Sequence, residues 1–255
     1  MDGPKVVTWA HDIANQRWGM RISFVGDSIT EGFPGTSYVD RIQQAFPHHT
    51  LINLGRHNDT VLSLYHRLRS TPLAPPVDLC FLWIGVNDTI CRDTTTYRLA
   101  NRLAPQQKAH DDTSFEVAYR QVLALLAPYS EQVVALTLPF KGENPASACN
   151  RELDARSQLI ARIARDSGVA LFDIRAHLRP HFEASAGDYL VQSAAQALLD
   201  AFLLRSDEAL TRIAARRGLH LTFDGLHLSP AGADLAAHLF ADHIRMLENA
   251  NRTPA

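Results

Sequence analysis

The sequence carries almost no excess of charge of either sign. Its 25 Lys and Arg nearly balance 27 Asp and Glu, so no strong field is present to draw in nucleic acid or an anionic membrane. The expected partner is a small molecule. No apolar run approaches the ~18 residues of a membrane-spanning helix, and the first residues, MDGPKVVTWAHDIANQRWGM, are charged throughout and lack the apolar stretch of a secretory signal. A cytoplasmic location is the expectation. Cysteine is scarce: Cys80, Cys91 and Cys149 are the whole set, and none stands at a metal-type spacing from another. A disulfide framework and a zinc site are therefore not expected, and the three read as ordinary reduced thiols. The 12 histidines are scattered, and His48-His49 after Pro47 reads as a solvated turn rather than a metal pair. No metal and no cofactor are expected.

Certain motifs are absent too. The chain has no G-x-S-x-G nucleophile elbow, which argues against an ordinary α/β-hydrolase lipase. It has neither GxxxxGK[ST] nor GxGxxG, so a nucleotide-binding protein of flavodoxin type has no phosphate cradle after the first strand.

What is present is a composition suited to a folded domain, with 46% apolar and 20% charged residues over 255 positions. Apolar runs that read as buried strands recur at 21–26, 50–55, 77–85, 132–139 and 169–174. Helical periodicity fills the gaps at 36–46, 59–70, 115–130 and 151–168, the last ending at Gly168, a residue able to take positive φ. Strands apolar on both faces that alternate with helices indicate a doubly wound α/β fold: a five-stranded parallel sheet covered on both faces, in one domain over 1–255. The segment 176–218 breaks the alternation. It is rich in Ala and Leu and reads as a helical insertion, with LHLTFDG as the next strand-like piece after it. The 190–217 part is a candidate cover for the site, oligomer contact or added core, and these alternatives stay open. Ser229-Pro230 then starts the last helix, Ser as N-cap and Pro at N1.

In such sheets ligands sit beyond the carboxyl ends of the strands. The residues there are Gly26-Asp27-Ser28, Gly55-Arg56-His57-Asn58-Asp59 and Gly85-Val86-Asn87-Asp88. A serine hydroxyl needs a base to take its proton, and the base needs a third group to orient it. Ser28, His227 and Asp224 are of those three types, and Asp-x-x-His puts acid and base in one short loop. Negative charge that develops on a substrate carbonyl would need donors, for which the N–H groups of Ser28 and Gly55 and the side-chain amide of Asn87 are candidates. Arg56 and His57 are candidate substrate contacts. Asp27 and Asp88 read as structural.

GDSIT, NLGRHNDT, GVND and DGLH, in this order, resemble the four sequence blocks of the SGNH (GDSL-like) serine hydrolases over residues 21 to about 245. The resemblance implies a three-layer, flavodoxin-like α/β/α fold. It implies Ser28 as nucleophile, Gly55 and Asn87 as oxyanion donors, and Asp224 and His227 as acid and base. It also implies a serine esterase for short-chain acyl esters, with O-acetyl carbohydrates the preferred class. An acyltransferase or thioesterase using the same serine, and a catalytically silent binding module on the same fold, are the alternatives. One departure stands out, because the family's second glycine in block two is Asn58 here. Asparagine is among the few residues other than glycine that tolerate a left-handed backbone.

Overall fold

The computed structural model describes residues 19–71, 73, 75–89, 107–109, 111–182 and 206–252. Among these, five strands form one sheet: β1 (Arg21–Gly26), β2 (Thr50–Gly55), β3 (Val77–Trp83), β4 (Ser130–Leu136) and β5 (Ala170–Phe172). Every pairing is parallel and the spatial order is β2-β1-β3-β4-β5, so the order reverses between β1 and β3, where ligands bind in open α/β sheets. The helices are α1 (Ser28–Glu31), α2 (Tyr38–Ala45), α3 (Val61–Ser70), α4 (Asp112–Leu126), α5 (Ala148–Asp166), α6 (Ile174–Phe182), α7 (Asp207–Arg216) and α8 (Pro230–Arg252).

Each long helix starts where its sequence offers a cap. Ser37, Thr60, Asp111, Ser147 and Ser206 accept from the N–H three residues on, and the Ser229 hydroxyl accepts from Gly232 N–H at 3.2 Å ahead of Pro230. Right-handed crossovers send the chain to opposite faces on either side of β1. One face holds an aromatic core in which Phe24, Phe81 and Phe240 meet with ring centroids 5.0 to 5.7 Å apart and Tyr38 stacks on Phe240 at 4.9 Å. Phe115 and Tyr119 of α4 pack in the other layer, and all six rings are fully buried or nearly so. Each such ring takes a large apolar area out of water on folding.

The strands and helices match those expected from periodicity, with shifted ends. Three expectations need correction. LHLTFDG forms no strand; its single pairing is an isolated bridge between Thr222 and Leu228, because the N–H groups of residues 220–222 bond a side chain instead of a neighbouring strand. His48 is solvated but His49 is buried. Cys149, in the first turn of α5, is disulfide-bonded, whereas Cys80 is free and buried. Of the 176–218 insertion, the ends lie in α6 and α7, and 183–205 falls outside the described residues. No helix among the described residues is long and apolar enough to cross a membrane.

Candidate active site

The three loops expected to carry chemistry meet at the carboxyl edge of the sheet. Gly26, the last residue of β1, pairs with Gly55 of β2 on one side and Trp83 of β3 on the other. Ser28 therefore stands two residues beyond the centre of that edge, as the first residue of α1, where a helix N–H has no acceptor within the helix. Asp27 caps the turn by accepting Ile29 N–H at 3.0 Å. It serves the structural role expected of it. Burial pushes its carboxyl up to about 7, against the Ile29 hydrogen bond and the His227 charge.

Asp224 and His227 reach the same point from the loop ahead of α8. Ser28 Oγ lies 3.0 Å from His227 Nε2, and His227 Nδ1 lies 2.7 Å from Asp224 Oδ2. An ionised carboxylate only accepts, so Nδ1 carries the proton and Nε2 offers its lone pair to the serine. The other carboxylate oxygen, Oδ1, accepts the N–H groups of Leu226 at 2.9 Å and His227 at 2.7 Å. This turn makes the i, i+3 spacing work: one oxygen folds the loop while the other holds the ring. Burial pushes the Asp224 carboxyl up, but the His227 charge and these hydrogen bonds outweigh it and hold the pKa below its ordinary value. Burial likewise pushes His227 down, and the Asp224 charge and bond outweigh it, so the imidazole pKa is raised. Each side chain is 13% exposed, open enough for a substrate yet dry enough for these charges to act strongly.

The two remaining candidate donors, Gly55 and Asn87, stand at the end of β2 and just beyond β3. A Cβ on Gly55 would lie 2.1 Å from Glu31 N, so only glycine lets β2 end against α1. Its N–H donates to Asn53 Oδ1 at 2.9 Å, and the Asn53 amide donates to Thr30 O at 2.8 Å. The Asn87 amide donates to Asp59 O at 2.9 Å with one of its two hydrogens. Asn58 has φ 61, so asparagine supplies the left-handed turn for which the family pattern has glycine. Asp88 accepts Val61 N–H at 2.9 Å and ties the β3 turn to α3. Burial pushes its carboxyl up to about 6, opposed by the Val61 bond. Arg56 and His57 are exposed at the rim. His57 bonds the Phe33 backbone, and desolvation and the His227 charge push its pKa down.

Two side chains that frame the site were missed in the sequence. Asn53 ties β2 to α1, and Glu143, in the loop after β4, is fully buried and accepts four hydrogen bonds from residues 220–222. Acceptors of backbone N–H groups form no motif of their own, so Glu143 has no signature in the sequence.

Known structures of similar architecture share this arrangement of strands and helices. An acetyl xylan esterase, AlAXEase, is similar at a TM-score of 0.60 and 22% identity, over 88% of this chain and 100% of that one. Axe2, an acetylxylan esterase from Geobacillus stearothermophilus, is similar at 0.59 and 22%, over 89% and 94%. LAE5, an alpha/beta hydrolase enzyme from the metagenome of Lake Arreo, Spain, is similar at 0.58 and 21%, over 88% and 94%. At these identities the likeness is one of fold. No curated protein matches the chain in sequence. Residues 24–235, from the middle of β1 into α8, match a family defined in sequence, and the chain belongs to the GDSL-like lipase/acylhydrolase family.

Proposed function

We propose that this acylhydrolase is a serine esterase that works through an acyl-enzyme on short-chain esters, with O-acetyl groups on carbohydrates as the preferred class. The observation that carries the reading is the unbroken chain from Ser28 Oγ through His227 to Asp224, at 3.0 and 2.7 Å. In it, His227 Nε2 takes the Ser28 proton as Oγ attacks the acyl carbonyl. The imidazolium, steadied by Asp224, then gives that proton to the leaving alcohol. Water enters, loses a proton to the same nitrogen and releases the acid. The carbonyl oxygen, as it becomes negative, would lie against the N–H groups of Ser28 and Gly55 and the second N–H of Asn87. Gly55 N–H would turn from Asn53 Oδ1 to the charged oxygen, which is the better acceptor. Arg56 and His57, exposed on the loop after β2, are the substrate contacts in this reading. The choice of acetylated sugars draws on the architecture shared with AlAXEase and Axe2, both acetyl xylan esterases.

The test pairs a Ser28→Ala protein with a chain-length series of p-nitrophenyl esters and with acetylated xylo-oligosaccharides. The expected result is loss of turnover by at least about 10⁴-fold in the variant, loss of fluorophosphonate labelling, and a wild-type preference for acetyl over longer chains. Wild-type turnover by folded Ser28→Ala protein removes the nucleophile. A preference for long chains leaves the nucleophile and removes the substrate class.

A further inference from the structure

The loop that bears Asp224 and His227 has no strand under it, and one side chain takes that strand's place. Glu143 Oε1 accepts the N–H of Leu221 at 2.8 Å, the N–H of Thr222 at 2.7 Å and the Thr222 hydroxyl at 2.8 Å; Oε2 accepts the N–H of His220 at 2.8 Å. These four bonds come from three consecutive residues and stop two positions before Asp224. Just past Asp224, Gly225 O accepts Gly142 N–H at 2.6 Å. Neighbouring residues of one loop thus grip the catalytic acid from both sides.

A carboxylate suits this task because it only accepts, at about four lone-pair sites, and its bonds to N–H are roughly twice as strong as neutral ones. Fully buried, it would be costly to strip of those donors, so the gripped loop resists moving away. The anchor is braced in turn. Asn150 donates to Lys141 O at 3.0 Å and Asn144 O at 2.8 Å and accepts Lys141 N–H at 3.0 Å. Arg175 donates to Pro139 O at 2.7 Å and Asn150 O at 2.8 Å, paired with Asp154 at 2.6 Å and lying 3.9 Å over the Phe140 ring.

We propose that Glu143 is a positioning residue of the reaction: by fixing the backbone of 220–222 it holds Asp224 and His227 at proton-transfer distance from Ser28. This rests on the assignment of those three residues as the catalytic set. A displacement of about 1 Å in a reacting group can cost about 10²-fold in rate, so a slackened loop shows in kcat.

Two variants test it. Glu143→Gln puts an amide donor against an N–H whichever way it turns. Thr222→Val removes one hydroxyl and changes no charge. The second matters because Asp224, Asp27, Lys141 and His57 all face His227 electrostatically, so a lost charge alone could move its titration. The expected result is a kcat about tenfold to a hundredfold lower for Glu143→Gln and about threefold lower for Thr222→Val, with KM within about twofold. In both, the acid limb of kcat/KM moves to lower pH as Asp224 leaves the imidazole. Folded Glu143→Gln with wild-type kcat and pH limb overturns the proposal. A change in Glu143→Gln with Thr222→Val at wild-type values also overturns it, since that is a field effect. If Glu143→Gln does not fold, Thr222→Val decides by the same readouts. NMR titration of the His227 ring in a Ser28→Ala background separates the two levels of the claim. Slackening lowers that midpoint whether or not Ser28 is the nucleophile, whereas activity in Ser28→Ala itself strikes only the catalytic assignment.

Discussion

One buried and one half-buried imidazole sit beside carboxylates at opposite ends of this sheet, and only the second also faces a hydroxyl. At the amino end, His49 Nε2 lies 3.3 Å from Glu248 Oε1, while Nδ1 accepts the backbone N–H of Met20 at 3.1 Å. At the carboxyl end, His227 gives Nδ1 to Asp224 and Nε2 to Ser28. The backbone donor at Nδ1 forces the neutral His49 ring to keep its proton on Nε2, facing the carboxylate, so no lone pair is left for a hydroxyl or a metal ion. His48, His49 and Glu248 are the one group with metal-like proximity among the described residues, and the tautomer argues against an ion there. The pKa directions follow. Burial, helped by His48, pushes His49 below its ordinary value despite Glu248, whereas at His227 the Asp224 charge and bond overcome burial and raise it. A histidine next to a carboxylate is thus not a catalytic pair; the partner on the second nitrogen decides.

The contrast is broken most severely by His227→Ala against His49→Ala. The first should lower kcat by about 10⁴-fold or more, the second should keep kcat and lose about 1–3 kcal/mol of unfolding free energy, having left the Met20 N–H without its acceptor. Ester turnover and urea unfolding of the two proteins check this. Asp224→Asn against Glu248→Gln comes next. Loss of the oriented tautomer should reduce kcat by on the order of 10³–10⁴-fold, while the Glu248 change should leave kcat alone and shift stability by about 0.5 kcal/mol or less.

Gly55→Ala tests the scaffold on the catalytic side. Its Cβ would press on Glu31 N, so a loss of about 1–3 kcal/mol together with a lower kcat is expected. Retention of both by a folded variant would show that α1 gives way freely. The pH dependence sharpens the pair further. Activity needs neutral His227, so kcat/KM should fall as pH drops through a midpoint above the ordinary histidine value of 6.5. For stability the signs oppose each other. His227 binds its proton more tightly folded than unfolded, so its contribution is full below about 6.5 and is lost as pH rises through its folded value. His49 binds its proton less tightly when folded, so its contribution is present above about 6.5 and lost as pH falls below it. Unfolding measured across pH in wild type and His49→Ala should show the acid-side slope reduced in the variant. The smallest effect is expected of Asp27→Asn: the amide oxygen still caps Ile29, and the loss of the nearby negative charge moves the acid limb of kcat/KM down by a few tenths of a pH unit.

How legible the molecule was in its sequence follows from the range of the interaction involved. Strands apolar on both faces, Ser and Pro at helix starts, and the order of four short blocks are local patterns; the first two reappear in β1 to β5 and in the caps, and the blocks come together where Ser28, His227 and Asp224 meet. LHLTFDG misled because alternation of apolar and polar residues describes an extended chain, not what the chain pairs with; Glu143 pairs with it instead. Cys149 and His49 misled for the same reason. A disulfide, or a ring held by the Met20 N–H and by Glu248 from positions far along the chain, has no local signature.

The amino-acid sequence by itself determined the elements, their parallel sheet and the chemical types that gather at its carboxyl edge, because propensity, capping and burial act within a few residues. Only the tertiary structure decided which nitrogen of His49 and of His227 carries the proton, that Asn58 turns left-handed, and that a buried Glu143 grips the loop ahead of Asp224. Those outcomes depend on donors and acceptors brought within about 3 Å from positions tens to hundreds of residues apart, and that distance is set by the packed fold alone.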